Sequence, residues 1–261
     1  MICMKGIKGL GGRMDLLELI IDYHKDNERQ GPGSVQATLK ALSCIPDVNN
    51  RTYILDVGCG TGGQTITLAK YTSAYITAVD MLPQFLEVLV RKAQENNLAD
   101  RITAKEMLMD NLSFDEKSFD IIWSEGAIYN IGFEKGLLLW KKYLKEEGYM
   151  AVSEISWLTE SRPEEIEQYW VNAYPEIDTI ENKLKVIEKC GCTIVEHFVL
   201  DESCWIDNYY QPLSDKNEAF LEKYNHSKEV KNFIEEGRIE AEMYNRFKDY
   251  FSYVFYIMKK N

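Results

Sequence analysis

Ile54-Leu55-Asp56-Val57-Gly58-Cys59-Gly60-Thr61-Gly62-Gly63-Gln64-Thr65 reads as an apolar strand that runs into a glycine-dense turn, and the turn opens a helix. Glycine serves where the backbone takes positive φ or where a ligand approaches the main chain closely. A strand ending at such a turn leaves backbone N–H groups and a helix N-terminus facing a crevice, which suits a polar, nucleotide-like ligand. Gly58-x-Gly60-x-x-Gly63 also satisfies the dinucleotide fingerprint, so the glycines by themselves leave the cofactor open.

Three features narrow the choice. Asp56 stands two residues before the first glycine, where a carboxylate can meet an ammonium group. Asp80 ends the next apolar run, Ala74-Tyr75-Ile76-Thr77-Ala78-Val79, about where an acid that grips ribose hydroxyls is expected. Downstream, Leu108-Met109-Asp110-Asn111-Leu112-Ser113-Phe114 is followed by Ser118-Phe119-Asp120-Ile121-Ile122-Trp123-Ser124-Glu125. With these four motifs in order, the chain resembles the class I S-adenosylmethionine-dependent methyltransferases. Ser113 stands where that family usually has proline, a departure confined to a turn.

The motifs span residues 52–125, and the strand and helix pattern carries the likeness to residue 156. The segments Gln30-Gly31-Pro32-Gly33-Ser34, Trp123 to Phe133 and Ala173 to Ile180 further resemble bacterial small-molecule methyltransferases of the ubiquinone/menaquinone-biosynthesis-like group. That nearer likeness brings no acceptor with it. The resemblance implies S-adenosyl-L-methionine as cofactor and S-adenosyl-L-homocysteine as product. It implies that Gly58 and Gly60, with Cys59 and Gly62 in the same loop, admit the methionyl part. Asp56 would hold its amino group directly or through water, and Asp80 would accept both ribose hydroxyls. Met81 would pack on the adenine, with Met109 and Asp110 near its exocyclic amine.

Strands alternating with helices predict an α/β fold with a mostly parallel sheet covered on both faces. The reading places strands at 52–57, 74–80, 102–106, 119–124, 149–155, 193–199 and 250–258. By family likeness these form a Rossmann-like, seven-stranded sheet in the order 3-2-1-4-5-7-6 with the last strand antiparallel. Residues 1–48 are assigned as an N-terminal helical cover, 49–156 as the cofactor-binding core and 157–261 as a C-terminal half. About residues 200–248 are an inserted, aromatic-rich helical lid. Met1–Arg13 lacks a signal peptide's apolar core, and the first helix is expected to open at Met14.

A net charge of −12, from 30 basic and 42 acidic residues without a basic run, argues against nucleic acid as substrate. No stretch has the roughly 20 apolar residues of a membrane span. The six cysteines are scattered, apart from Cys190-Gly191-Cys192, and His24, His197 and His226 lie far apart, so no metal site is expected. The composition reads as that of a cytoplasmic protein with reduced thiols. A homodimer through the C-terminal strands or the lid is left open.

Methyl transfer from a sulfonium is an in-line displacement whose acceleration comes largely from alignment, so few marks are expected at the acceptor site. Glu125 and Tyr129 are the catalytic candidates, because the turn after the fourth strand lines the methyl donor in this family. Glu125 could instead bind the cofactor's amino group or sit in a hydrogen-bond network, and Tyr129 could be packing. Glu154 is a weaker acidic candidate, and His197 is read as structural. Arg29 is read either as meeting a carboxylate of cofactor or substrate, or as part of a surface turn. The absence of an N-P-P-[YF] tetrad after the fourth strand argues against adenine or glutamine-amide acceptors.

Trp157, Tyr169, Trp170, Tyr174, Trp205, Tyr209 and Tyr210 are expected either to wall a pocket for a cationic or aromatic amine or to form the lid's core. The leading reading is methyl transfer to a small-molecule acceptor, with amine N-methylation ahead of O-methylation. Two rivals stand beside it: a nicotinamide-dependent oxidoreductase, and a non-catalytic module that binds S-adenosylmethionine.

Overall fold

The computed structural model describes residues 16–261; the expectations for Met1–Arg13 and Met14 lie outside the described residues. The strands are β1 (Tyr53–Val57), β2 (Tyr75–Asp80), β3 (Ile102–Glu106), β4 (Phe119–Ser124), β5 (Leu144–Trp157), β6 (Asp178–Thr179), β7 (Cys192–Val199) and β8 (Phe251–Lys260). Their order is β3-β2-β1-β4-β5-β8-β7, with β6 beside the end of β5. The expected sheet is therefore present once the two-residue β6 is counted, making eight strands in place of seven. β8 runs antiparallel between β5 and β7.

Alternation along the strands divides the core between the two faces of the sheet. Ile54, Ile121 and Phe255 join one apolar cluster; Leu55, Ile122 and Val254 join the other. The first face is covered by α2 (Val35–Ser43), α3 (Gly63–Tyr71) and α4 (Pro83–Glu95), the second by α5 (Phe133–Lys141) and α7 (Ile180–Lys189). The helix starts follow local chemistry. Ser34 caps α2 by accepting from the Ala37 N–H at 3.0 Å, and Pro83 opens α4, where its missing N–H costs nothing.

β5 is longer than the 149–155 expected, because Leu144 pairs with Phe119 at one end and Trp157 with Phe251 and Thr179 at the other. The preceding helix accordingly stops at Lys141.

The lid and the N-terminal cover share one small core. α1 (Leu16–His24) sets Leu19, Ile20 and Tyr23 against Phe220 of α9 (Asn217–Lys223) and Val230, Phe233 and Ile234 of α10 (Lys228–Phe247). Polar ties hold the same junction: Tyr23 donates to Asn217 Oδ1 at 2.6 Å, and Lys223 meets Asp22 at 2.6 Å.

Of the two readings left open for the seven aromatics, core holds for most. Trp157, Trp170, Tyr174 and Trp205 are buried in the cluster on the first face. Trp205 is sandwiched between Tyr244, at a centroid distance of 4.5 Å, and Tyr253, at 5.1 Å, and donates to Ser252 Oγ at 3.0 Å. One such ring removes roughly 200 Å² from water, on the order of 5 kcal/mol before entropy is counted, which a small lid needs.

Candidate cofactor and acceptor site

The strand order reverses between β1 and β4, and a crevice opens there beyond the carboxyl ends of the strands. It holds a cavity of about 550 Å³ lined by Gly58, Cys59, Gly60, Asp80, Met81, Met109, Asp110, Glu125 and Tyr129. Nine of the residues singled out in the sequence thus converge on one space. Asp56 and Gly62 do not line it.

The loop is shaped by its glycines and braced from behind. Gly58 and Gly60 have φ of +74° and +55°. A Cβ on Gly60 would sit 2.2 Å from Gln30 Oε1, and one on Gly58 would sit 2.5 Å from Ala127 Cβ. The loop's N–H groups are not left facing the crevice, as the sequence suggested. Those of Gly58 and Cys59 donate to Val79 O, that of Thr61 to Gln30 Oε1 and that of Gly62 to Cys59 O. The Gly60 N–H goes to Asp80.

Asp80 is the best-prepared group in the cavity. Its Oδ2 accepts from Gly60 N at 2.9 Å and its Oδ1 from Leu82 N at 3.0 Å. Burial pushes its carboxyl upward, and backbone N–H groups of Leu82, Gly60 and Met81 pull it back. An ionised carboxylate has further lone pairs on each oxygen, so a diol can still be received. Met81, Leu82, Phe85, Met107 and Met109 line the same cavity and give it an apolar slot, with Asp110 also in the lining. Trp140 Nε1 donates to Met109 O at 2.7 Å and fixes that segment. The donor set and slot fit an adenosine group.

Asp56 lies behind the loop, wholly buried, and accepts from Thr65 Oγ1 at 2.5 Å and Gln64 Nε2 at 3.3 Å. Gln64 does line the cavity, so Asp56 reaches it only through that amide. Burial raises the Asp56 carboxyl from 3.8 to about 7, against the pull of the Thr65 and Gln64 bonds. Because the folded value lies above the unfolded one, the unfolded chain ionises first as pH rises. Asp56 therefore erodes stability between pH 3.8 and about 7. Asp56→Asn has no such proton, so its stability relative to wild type should rise between about pH 5 and about pH 7.5 in urea denaturation. A difference that stays flat across that range contradicts the assignment. Gly62, at φ +84°, caps α3, and its missing side chain makes room for Leu89.

Glu125 is already engaged within the protein. Its Oε2 meets Arg29 Nη1 at 2.6 Å, and its Oε1 accepts from Thr38 Oγ1 at 2.7 Å and Trp123 Nε1 at 2.9 Å. Both side chains of the ion pair are buried. Arg29 thus meets a carboxylate of the protein, and it also lines the cavity. Next to it, Gln30 donates to Thr61 Oγ1 at 2.9 Å, lacing the N-terminal segment onto the glycine loop. Glu154 is also withdrawn: it is buried outside the cavity lining, where Lys183 at 3.0 Å and Tyr174 at 2.7 Å hold it. His197 stacks on Tyr256 from β7, a structural position.

The lining also includes an aromatic and apolar set: Tyr129, Tyr209 and Tyr253, with Leu17, Ile20 and His24 from α1. Tyr129 packs edge-on to Tyr174 at 6.1 Å. Tyr209 belongs to a single π-helical turn, Ile206–Tyr210, and such turns often re-aim side chains at functional sites. Of the seven aromatics anticipated as a wall, it is the one that lines this cavity. The sequence reading gives His24 no part in the site. A signal is present all the same, since Leu17, Ile20 and His24 recur at i, i+3 and i+7, one helical face.

Residues 54–148 match the family model described as a methyltransferase domain. Phosphoethanolamine N-methyltransferase of Plasmodium falciparum is 24% identical over 207 residues, covering 75% of this chain and 74% of that protein. Demethylmenaquinone methyltransferase of Tropheryma whipplei is 33% identical over 105 residues, covering 40% of this chain and 41% of that protein. Among solved structures, an S-adenosylmethionine-dependent methyltransferase from Geobacter sulfurreducens, in complex with S-adenosyl-L-homocysteine, superposes with a TM-score of 0.81 at 18% identity, covering 94% of this chain and 98% of that one. YjhP from E. coli superposes with a TM-score of 0.82 at 20% identity, covering 94% and 100%. The domain match seated on the glycine loop, the strand order of the sheet around it and these relatives together support a class I S-adenosylmethionine-dependent methyltransferase.

Proposed function

We propose that the chain methylates a small molecule, and that the attacking atom is an amine nitrogen presented in its neutral form. The observation that carries the cofactor side is the Asp80 carboxylate, braced by Gly60 and Leu82 beside an apolar slot. Bound there, S-adenosylmethionine supplies an electrophilic methyl group for in-line displacement. Asp80 would hold the ribose hydroxyls, Met81 and Met109 the adenine faces, and Asp110 the exocyclic amine. Gln64, oriented by Asp56, would present its amide to the methionyl part.

On the acceptor side, the chain's task is to orient the nucleophile and exclude water. Glu125 is read as a positioning group, because its carboxylate is ion-paired with Arg29 and held by Thr38 and Trp123 within the protein. Tyr129 is read as a wall that directs the acceptor. Burial pushes the Tyr209 and Tyr253 phenols upward, so neither is disposed to take a proton as phenolate. A neutral amine needs no deprotonation before attack, whereas a phenol does. That supports nitrogen over oxygen.

The test is mass spectrometry of products after incubation with S-adenosylmethionine and paired amines and phenols on the same aromatic frames. N-methylated products with the phenols untouched are expected. O-methylation of the phenols alone would overturn the nitrogen assignment.

A further inference from the structure

His24 closes α1 on the face that also carries Leu17 and Ile20, and all three line the cavity. The ring is 4% exposed, and Nδ1 has no hydrogen-bond partner among the described residues. Leaving such an atom buried and unpaired costs on the order of 1–3 kcal/mol, a cost that a donor in the cavity would relieve once the imidazole turns to meet it. Tyr209 lies almost parallel to the ring, with centroids 6.3 Å apart and planes at 15°. His24 and Tyr209 are also the two residues that this cavity shares with a second, of about 400 Å³, beneath α10. They stand as a partition between the two spaces.

We propose that His24 recognises the methyl acceptor: its unpaired imidazole nitrogen accepts a hydrogen bond from an N–H or O–H of the incoming molecule. The acceptor class is then a neutral, apolar or aromatic hydrogen-bond donor, with the cavity beyond the His24–Tyr209 partition taking the far end of a longer one. A cation is disfavoured, because Glu125 is neutralised by Arg29, Glu154 lies outside the cavity lining, and Asp80 and Asp110 are given to the cofactor. Burial, with Lys216 nearby, holds the imidazole in its neutral, accepting form. This inference rests on the methyltransferase reading above only for the identity of the site's occupant.

The experiment follows imidazole nitrogen resonances of the full chain, with His24 assigned by difference from His197 and His226. Aniline, phenol, toluene and benzyltrimethylammonium are titrated, each with and without saturating S-adenosylhomocysteine. Aniline or phenol should bind saturably and shift the His24 nitrogens, toluene should bind without that shift, and the ammonium should bind more weakly than aniline. In His24→Phe the aniline-to-toluene affinity ratio should fall about fivefold, the worth of one neutral hydrogen bond, and His24→Asn should recover part of it. Binding of the ammonium ahead of aniline overturns the inference, as does donor binding that leaves His24 unmoved or no binding by any probe. Affinity for S-adenosylhomocysteine is read separately, so loss of the cofactor assignment is distinguishable from loss of this one.

Discussion

Replacing Asp80 with alanine is expected to weaken S-adenosylhomocysteine binding by about 100-fold, close to 3 kcal/mol, in calorimetric titration. The carboxylate is fixed at the end of β2 before any ligand arrives, since each oxygen is held by a backbone N–H. A diol meeting it makes charge-assisted hydrogen bonds worth about 1.5–3 kcal/mol each and loses little entropy to protein rearrangement. Alanine removes both bonds and also frees the Gly60 N–H, so the loop loses a brace. Asp80→Asn keeps acceptor oxygen on one side and should lie between wild type and alanine. An alanine variant that binds within threefold of wild type would remove Asp80 from the cofactor site.

The second large effect concerns the buried pair that ties the N-terminal cover to β4. Arg29→Met should destabilise the fold by about 3–5 kcal/mol in urea denaturation, because the Glu125 carboxylate is then left buried without its counter-charge. Glu125→Gln should cost less, since an amide still accepts from Thr38 and Trp123. The double variant, Arg29→Met with Glu125→Gln, should be more stable than the sum of the two losses predicts, because no orphan carboxylate remains. Strict additivity would show that the two side chains act independently. Arg29→Met should also weaken cofactor binding, since Gln30 next to it laces Thr61 of the glycine loop.

That ion pair also shows where the sequence stops being readable. Arg29 and Glu125 each stand out in the sequence, but they lie 96 positions apart, and no local pattern joins them. The run from Ile54 to Thr65, by contrast, is legible because strand, turn and helix signals are all local there. The same holds for Asp80 and for Met109-Asp110, which follow short strands whose carboxyl ends must meet at the switch in strand order. The aromatic half leaves two readings open for a physical reason. Trp157, Trp170 and Trp205 have the composition of a pocket wall, but composition does not say which face of a segment turns inward. β6, two residues long, carries no periodicity by which a strand is recognised. His24 sits in plain view on an apolar helical face, and the union of α1 with α9 and α10 is what turns that face toward the cavity.

The most direct test of the central claim is calorimetric titration of S-adenosylhomocysteine and NAD into the wild-type chain. The glycine loop fits the dinucleotide fingerprint as well as the methyltransferase pattern, and the two ligands separate those readings. Saturable, micromolar binding of S-adenosylhomocysteine with no heat from NAD is the predicted result. Binding of NAD alone would contradict it, and would take with it the adenosine-holding roles of Asp80, Met109 and Asp110.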